Sequence, residues 1–334
     1  MRTSPFAAVI AVLLAVGTGA LTTVQAADAS KPITVALLPK KKGLAYFSAC
    51  AKGAELAAKE LGTVTLIYDG PTDGSPEKAA AMIEKWVLKG VDVIAVSPND
   101  PSVLAPAMQA ARAKGVRVIT WDSDAAPETR ELFVNQGTSQ QIAEAMVDAM
   151  VKDMGSDEGQ VAIVMATLTS ANQLEWAKYM KSYIAAKHPR LEVVAMKPTN
   201  EDQKIAFQVS QDLMKAYPAL KGLFGISSTS FPGAAEAVKQ AGRAGQVQVT
   251  GLATPNSMKG YVKDGVVKSV VLWNTADLGY LTVYAARGLV DGTLKPGAST
   301  FTAGHLGERA VVGDNLLLGN LLVFTKDNID RFDF

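Results

Sequence analysis

Short apolar runs alternate with longer amphipathic runs along most of this chain. Runs at residues 33–38, 64–68, 91–97 and 116–119 are rich in Val, Ile and Leu with little polar alternation. This pattern is typical of parallel strands that are covered on both faces. The intervening stretches are Ala-rich, carry helical spacing and end at glycine, which predicts helices. Four successive strand–helix pairs therefore predict a doubly wound parallel sheet.

The same alternation starts again after a short predicted strand at residues 131–135 and a predicted helix at 139–154. Further strands are predicted at residues 161–165, 191–196, 220–226, 247–252 and 266–272. Helices are predicted between them at 174–188, 202–217, 232–241 and 257–264, and a last one at 277–291. Two strand–helix series of similar length predict an α/β protein with two similar lobes.

Hydrogen-bonding side chains follow five of the predicted strands, at the point where each strand ends. They are Lys40, Asp122, Asn172 with Gln173, Ser228 and Asn274. Ligands of open α/β sheets bind outside the carboxyl ends of the strands. If the two sheets face each other, these groups line one cleft between the lobes.

The loop that follows the fourth strand carries the strongest local signal. Trp121, Asp122 and Asp124 place two carboxylates and a large aromatic ring at a strand end. Carboxylates accept hydrogen bonds and aromatic faces are apolar, so this set suits a polyhydroxylated ring. Phe47 is a further candidate for stacking. Alternatives stay open: Asp also favours helix caps and turns, Phe47 also suits a core, and Lys40 also suits a solvated lysine cluster.

The N-terminus and the composition restrict the location and the partners. Arg2, an apolar stretch at residues 7–16 and small residues at 24–26 predict a signal peptide, residues 1–26, cleaved after Ala26. An uncleaved anchor is the alternative. The 33 basic and 32 acidic residues nearly balance, which argues against a nucleic-acid partner. A single cysteine, Cys50, excludes an internal disulfide, and an exported protein without one is expected in a bacterial periplasm.

Enzyme signatures are sparse. The chain has two histidines, and it has no nucleophile-elbow motif, phosphate-binding glycine loop or metal-spaced His/Cys cluster. Asp122 and Asp124 could form a glycosidase pair, but such pairs usually come from separate elements that flank the bond. We therefore expect a binding protein that is not an enzyme and that needs no cofactor or metal.

Several motifs together resemble a known family. They are the stretches at residues 38–40, 68–72, 120–124, 135–138 and 272–273, and the tail at 324–334. The chain resembles the periplasmic substrate-binding proteins of sugar ABC transporters of the ribose-binding type, in the branch that binds autoinducer-2 or rhamnose. The resemblance implies two doubly wound lobes joined by a hinge. It also implies a monomer that captures a small sugar or polyol and delivers it to a membrane permease.

The ligand-binding pattern of the family matches the N-lobe of this chain better than the C-lobe. The ligand-binding lysine and aspartate of the family fall on Lys40 and Asp122. The Asp-Gln pair of the autoinducer-2 branch becomes Asn172-Gln173, and its Pro-x-Ala contact falls on Ile226 and Ser228. The aspartate after its late Leu-Trp becomes Asn274. The N-lobe half of the pocket is kept and the C-lobe half has changed, so a rhamnose-like sugar or another polyol is at least as good a candidate as autoinducer-2.

The resemblance also implies the lobe boundaries and leaves the pathway open. It places residues 31–135 and 275–303 in the N-lobe, and 136–274 and 304–334 in the C-lobe. A periplasmic sensor that feeds a membrane receptor is the alternative to a transport component.

Overall fold

The computed structural model describes residues 31–334 together with Met1, so the rest of the predicted signal peptide lies outside the described residues. The strands are β1 (Ile33–Leu38), β2 (Val64–Tyr68), β3 (Val93–Val96), β4 (Arg117–Trp121), β5 (Phe133–Asn135), β6 (Gly159–Met165), β7 (Leu191–Pro198), β8 (Leu220–Gly225), β9 (Gln248–Gly251), β10 (Val270–Leu272), β11 (Thr300–Thr302), β12 (Glu308–Val312), β13 (Asn315–Leu317) and β14 (Leu322–Phe324). The helices are α1 (Ala45–Leu61), α2 (Pro76–Leu88), α3 (Pro101–Ala113), α4 (Ser139–Met154), α5 (Ala171–Lys187), α6 (Gln203–Ala216), α7 (Ser230–Gln240), α8 (Pro255–Lys263) and α9 (Thr275–Asp291).

The first sheet has the strand order β2-β1-β3-β4-β5-β13-β12-β11. Its members from β2 to β13 run parallel, and β12 and β11 complete the edge antiparallel. In β1, which is next to the edge strand β2, Val35 lies between Leu66 of β2 and Val93 of β3. All four side chains of β3 are buried, which explains why its sequence lacks polar alternation.

The second sheet has the order β7-β6-β8-β9, with all its pairs parallel. Beside β9 lies β10, which pairs antiparallel with β14. The predicted α/β architecture with two parallel-sheet lobes is confirmed. The predicted strand at residues 266–272 is shorter in the structure, because the N–H groups of Val266 and Val267 donate to the carbonyl of Tyr261 at the end of α8 instead of joining a sheet.

The chain passes between the lobes three times. It leaves the first sheet after β5 to form α4, which packs on α5 and the second sheet. It returns after β10 to form α9, which packs against α1. It leaves the first sheet again after β13 and ends in the second lobe with β14.

The last crossing corrects one predicted boundary. The resemblance implied that residues 304–334 belong to the C-lobe, but β12 and β13 belong to the first sheet. Leu316 of β13 pairs with Val134 of β5, so the first sheet continues to Leu317. The four segments that the resemblance implied correspond to three crossings between the lobes. Strand pairing, however, decides which sheet a short late strand joins. The other predicted boundaries stay predictions.

Close contact between α1 and α9 stabilises the first lobe. A Cβ atom placed on Gly279 would lie 1.8 Å from the carbonyl oxygen of Cys50, and one on Gly53 would lie 1.7 Å from that of Ala276. Only glycine allows the two helix backbones to approach so closely. The Cys50 thiol is fully buried in this contact, consistent with a packing role.

Candidate ligand-binding site

A narrow cavity lies between the two lobes, at the carboxyl ends of strands from both sheets. Its lining residues are Lys40, Leu44, Tyr46, Phe47, Asp122, Asn172, Gln173, Trp176, Glu201, Ile226, Ser227, Ser228, Leu252, Leu272 and Trp273. The first sheet contributes the ends of β1 and β4, and the second lobe contributes residues that follow β6, β7 and β8. The cavity therefore has the position that ligand sites take in paired α/β lobes.

Asp122 is the anchor of the first-lobe wall. It follows β4 with a left-handed φ of 63°, a conformation uncommon for residues other than glycine. Its Oδ2 accepts a hydrogen bond of 2.7 Å from the Ser97 hydroxyl and lies 3.7 Å from the Lys40 ammonium. Its backbone carbonyl accepts a hydrogen bond of 2.9 Å from the Gln136 amide. Asp122 is only 5% exposed, and the turn and these partners hold its carboxylate at the cavity wall.

Polar contacts across the cleft join the lobes. The Lys40 ammonium donates to Asn172 Oδ1 at 2.9 Å, and Asn172 Nδ2 donates to the Asp122 carbonyl at 3.3 Å. Lys41 reaches from the first lobe to the Glu201 carbonyl at 3.3 Å. These bonds require the lobes to be close together, so the structure shows a closed cleft.

Aromatic rings form the apolar part of the wall. Tyr46 and Phe47 come from the start of α1, and Phe47 meets the Trp121 ring edge-to-face at 5.6 Å. Trp273 Nε1 donates to the Tyr46 hydroxyl at 3.0 Å, and the Trp273 ring lies 6.2 Å from that of Trp176. Burial and the nearby Asp122 carboxylate raise the pKa of Tyr46 well above its ordinary value, so the hydroxyl stays neutral. Carboxylates, one ammonium and aromatic faces together suit a ring with polar edges and apolar faces.

The family model for the periplasmic binding protein domain matches residues 35–294. This chain belongs to that family. The match covers both lobes of the binding protein and the first two crossings between them, and it confirms the family and the fold predicted from the sequence.

Solved structures and a curated relative agree with this assignment. The binding protein is similar to LsrB from Clostridium saccharobutylicum in complex with AI-2, with a TM-score of 0.86 and 29% identity over 90% of this chain and 100% of that one. It is similar to an ABC transporter solute binding protein from Clostridium phytofermentas with bound L-rhamnose, with a TM-score of 0.86 and 26% identity over 90% and 98% of the two chains. The ribose import binding protein of Salmonella typhimurium is 25% identical over 82% of this chain and 90% of its own length.

The structure brings six of the eight predicted site residues to the cavity. Lys40, Phe47, Asp122, Asn172, Gln173 and Ser228 all line it. Gln173 is buried, and its Oε1 accepts the N–H of Ala166 at 2.8 Å, so this side chain also fixes the loop after β6. Whether the six bind a ligand stays a prediction.

Two predicted site residues, Asp124 and Asn274, are described by the structure but do not line the cavity. Asp124 forms an ion pair instead, because its Oδ2 lies 2.6 Å from the buried Arg130 guanidinium, which also pairs with Asp314. Asn274 caps α9, because its Oδ1 accepts the N–H groups of Ala276 and Asp277. The predicted ligand contacts of Asp124 and Asn274 are therefore not supported. Their polar atoms are used for loop anchoring and helix capping, the alternatives that Asp and Asn side chains also favour.

Glu201 is the main cavity residue that the sequence analysis missed. It follows β7 immediately before the N-cap of α6, so the strand-end pattern that found the other residues also applies to it. The Thr229 hydroxyl donates to its Oε2 at 3.2 Å. Burial raises the pKa of its carboxyl, although the nearby Lys40 and Lys41 ammonium groups oppose the shift.

Over residues 31–334 and Met1, no helix combines the length and apolarity that a membrane crossing requires. The same part of the chain holds no cluster of three His, Cys, Asp or Glu side chains arranged for a metal ion.

Proposed function

We propose that this chain is the solute-binding component of an ABC importer and that it captures a small sugar or polyol. One observation carries the proposal: Lys40 and Asp122 from one lobe meet Asn172 from the other at one cavity in the cleft. Hydrogen bonds that involve charged groups contribute about 1.5–3 kcal/mol each, so a few of them decide both affinity and hydroxyl geometry.

A rhamnose-like sugar is our first candidate ligand, and autoinducer-2 is the second. A structure similar to this chain holds L-rhamnose and another holds AI-2. The first-lobe wall keeps the lysine and aspartate that the resemblance implies. In the second lobe, Asn172 and Ser228 replace residues of the autoinducer-2 branch, and Glu201 adds a carboxylate. These changes alter the hydrogen-bonding pattern, which favours a ligand other than autoinducer-2.

We infer that capture proceeds by hinge closure. In an open state the ligand contacts one lobe first, and closure then brings the other wall to it and excludes water. The Lys40–Asn172 and Lys41–Glu201 contacts form only when the lobes meet. The closed protein would then dock on a membrane permease in the periplasm. This location is supported by the family and by the predicted signal peptide.

The sensor alternative shares the same site and differs only in the membrane partner. The glycosidase alternative loses support, because Asp122 lines the cavity while Asp124 pairs with Arg130. Two of the relatives compared above, the ribose import binding protein and the L-rhamnose-bound solute binding protein, are binding proteins of transport systems, which also favours capture without chemical change.

A thermal-shift panel tests the proposal. We expect L-rhamnose, D-ribose, D-arabinose, erythritol or autoinducer-2 to raise the Tm of the purified mature protein, since a ligand at a hundredfold excess over its Kd stabilises the native state by about 2.7 kcal/mol. Lys40→Ala and Asp122→Asn should abolish the shift. Asparagine is chosen for position 122 because it tolerates the left-handed φ there.

Lys42→Ala is the matched control, because Lys42 is an exposed lysine that pairs with Asp69 at 2.9 Å. It should bind as the wild type does. Equal binding by Lys40→Ala or Asp122→Asn would contradict the site, and turnover of any panel sugar would restore the enzyme alternative.

A further inference from the structure

The cavity has a second carboxylate that the family resemblance did not assign. Glu201 enters from the second lobe, whereas Asp122 enters from the first. The Thr229 hydroxyl donates a hydrogen bond to Oε2 of the Glu201 carboxylate. The Glu201 backbone carbonyl, by contrast, receives Lys41 from across the cleft. The residue thus contributes its main chain to closure and its side chain to the cavity.

The backbone that presents Glu201 has an unusual conformation. Among the described residues, three non-glycine residues have positive φ: Asp122 at 63°, Asn200 at 54° and Glu201 at 52°. Two of these three are the cavity carboxylates. The turn at residues 199–201 is held to the end of β6, since the Asn200 N–H donates to the Ala166 carbonyl at 2.7 Å. Local strain of this kind persists where surrounding structure fixes it, and it clusters at ligand sites.

The charged residues that line the cavity indicate which ligand charge the site favours. Lys40 is the one cationic side chain among the lining residues, and it lies beside Asp122 and Asn172. The Lys41 ammonium lies at the Glu201 backbone carbonyl and does not line the cavity, so two carboxyl groups face one ammonium within the aromatic-walled space. An anionic ligand would lie beside both carboxyl groups, and like charges brought together oppose binding. Hydroxyl groups instead donate to carboxylate oxygens and satisfy them.

We propose that Glu201 is the specificity-determining residue of the second lobe, where it accepts hydroxyl hydrogen bonds from the ligand. The selected class is a neutral sugar or polyol that presents hydroxyl donors to both lobes, one set to Asp122 and another to Glu201. Anionic analogues, such as sugar acids and sugar phosphates, are rejected. This inference rests on the proposed function and extends it from capture to the choice of ligand.

Calorimetric titration of the mature protein tests the inference. The neutral probes are L-rhamnose, D-ribose, D-arabinose, erythritol and autoinducer-2, and the anionic probes are L-rhamnonate and D-ribose 5-phosphate. The wild type should bind at least one neutral probe and neither anion. Glu201→Gln should weaken binding of that neutral probe about tenfold or more, because a charged acceptor is lost. Glu201→Asp keeps the charge and should recover part of the affinity.

Glu192→Gln supplies the matched control, because it makes the same chemical change at an exposed position on β7, the strand that leads to Glu201. It should bind as the wild type does. The ratio of anionic to neutral affinity is the second readout, because a purely structural role would not alter it. We expect this ratio to rise in Glu201→Gln.

The outcomes separate the two proposals. A wild type that binds none of the neutral probes overturns the proposed function and this inference with it. Binding by the wild type together with equal binding by Glu201→Gln overturns the inference alone. Tight wild-type binding of either anion does the same. If Glu201→Gln fails to fold, Glu201→Asp decides. Affinity below that of the wild type supports the inference, because the shorter side chain withdraws the carboxylate from the ligand, and affinity equal to that of the wild type overturns it.

Discussion

At the residue scale, the two cavity carboxylates have different surroundings. Asp122 has a hydroxyl donor at 2.7 Å and an ammonium at 3.7 Å. Glu201 has a hydroxyl at 3.2 Å and more distant lysines. Desolvation therefore dominates at Glu201 and raises the pKa of its carboxyl. The ligand-free protein holds a proton there more readily than the unfolded chain does.

This difference predicts how stability depends on pH. A carboxyl whose pKa is raised by folding makes stability rise as pH falls through the folded-state pKa. The Tm of the ligand-free wild type should therefore increase, relative to Glu201→Gln, as the pH is lowered from about 8 toward the ordinary glutamate range near 4.3.

Asp153 and Asp277 also have raised pKa values because of burial, so the wild type alone would not isolate the effect. Both remain in the variant, and the difference between the two Tm curves reports Glu201. Facing groups such as Lys40, Lys41 and Asp122 are also unchanged. A difference that stays constant with pH would contradict the assigned shift.

At the element scale, the contact between α1 and α9 supports the first-lobe wall, because α1 carries Tyr46 and Phe47. Gly279 on α9 faces the Cys50 carbonyl so closely that a methyl group must displace a helix. We predict that Gly279→Ala lowers the free energy of unfolding by about 3 kcal/mol, at the upper end of typical overpacking costs. Urea denaturation measures this change.

Gly260→Ala in α8 is the control, since a Cβ atom there has no neighbour within 4 Å. Alanine is the better helix former, so this variant should be as stable as the wild type or more stable by up to about 1 kcal/mol. Equal effects of the two substitutions would show that helix propensity, and not the close approach of the backbones, governs position 279.

At the scale of the whole molecule, the cleft is closed by side chains that connect lobes joined by three chain segments. Lys41 supports closure through the Glu201 carbonyl at 3.3 Å and does not line the cavity. We predict that Lys41→Ala shifts the ligand-free protein toward an open state, which small-angle scattering would detect as a larger radius of gyration. Affinity for the sugar that binds the wild type should fall about two- to tenfold, the worth of one hydrogen bond.

Lys42→Ala again serves as the control, because its partner Asp69 lies in the same lobe. Its radius of gyration should equal that of the wild type. If Lys41→Ala is equally compact, the contact between Lys41 and Glu201 does not contribute to closure.

The sequence by itself determined the alternation of strands and helices, the two lobes and much of the first-lobe wall. These features are local. Continuous apolar runs report strands covered on both faces, and glycine or Ser-Pro pairs mark helix ends within a few residues. The strand-end rule found Lys40, Asp122 and Asn172 because parallel strands bring their carboxyl ends to one edge of a sheet.

Only the tertiary structure decided which polar side chains face the cavity and which sheet the late strands join. Asp122 and Asp124 are equivalent by local pattern, but a left-handed φ aims Asp122 into the cavity while Arg130 holds Asp124 outside it. Arg130 in turn pairs with Asp314, 184 residues away in the chain. Side-chain direction and strand pairing depend on partners distant in sequence, which a local pattern does not record.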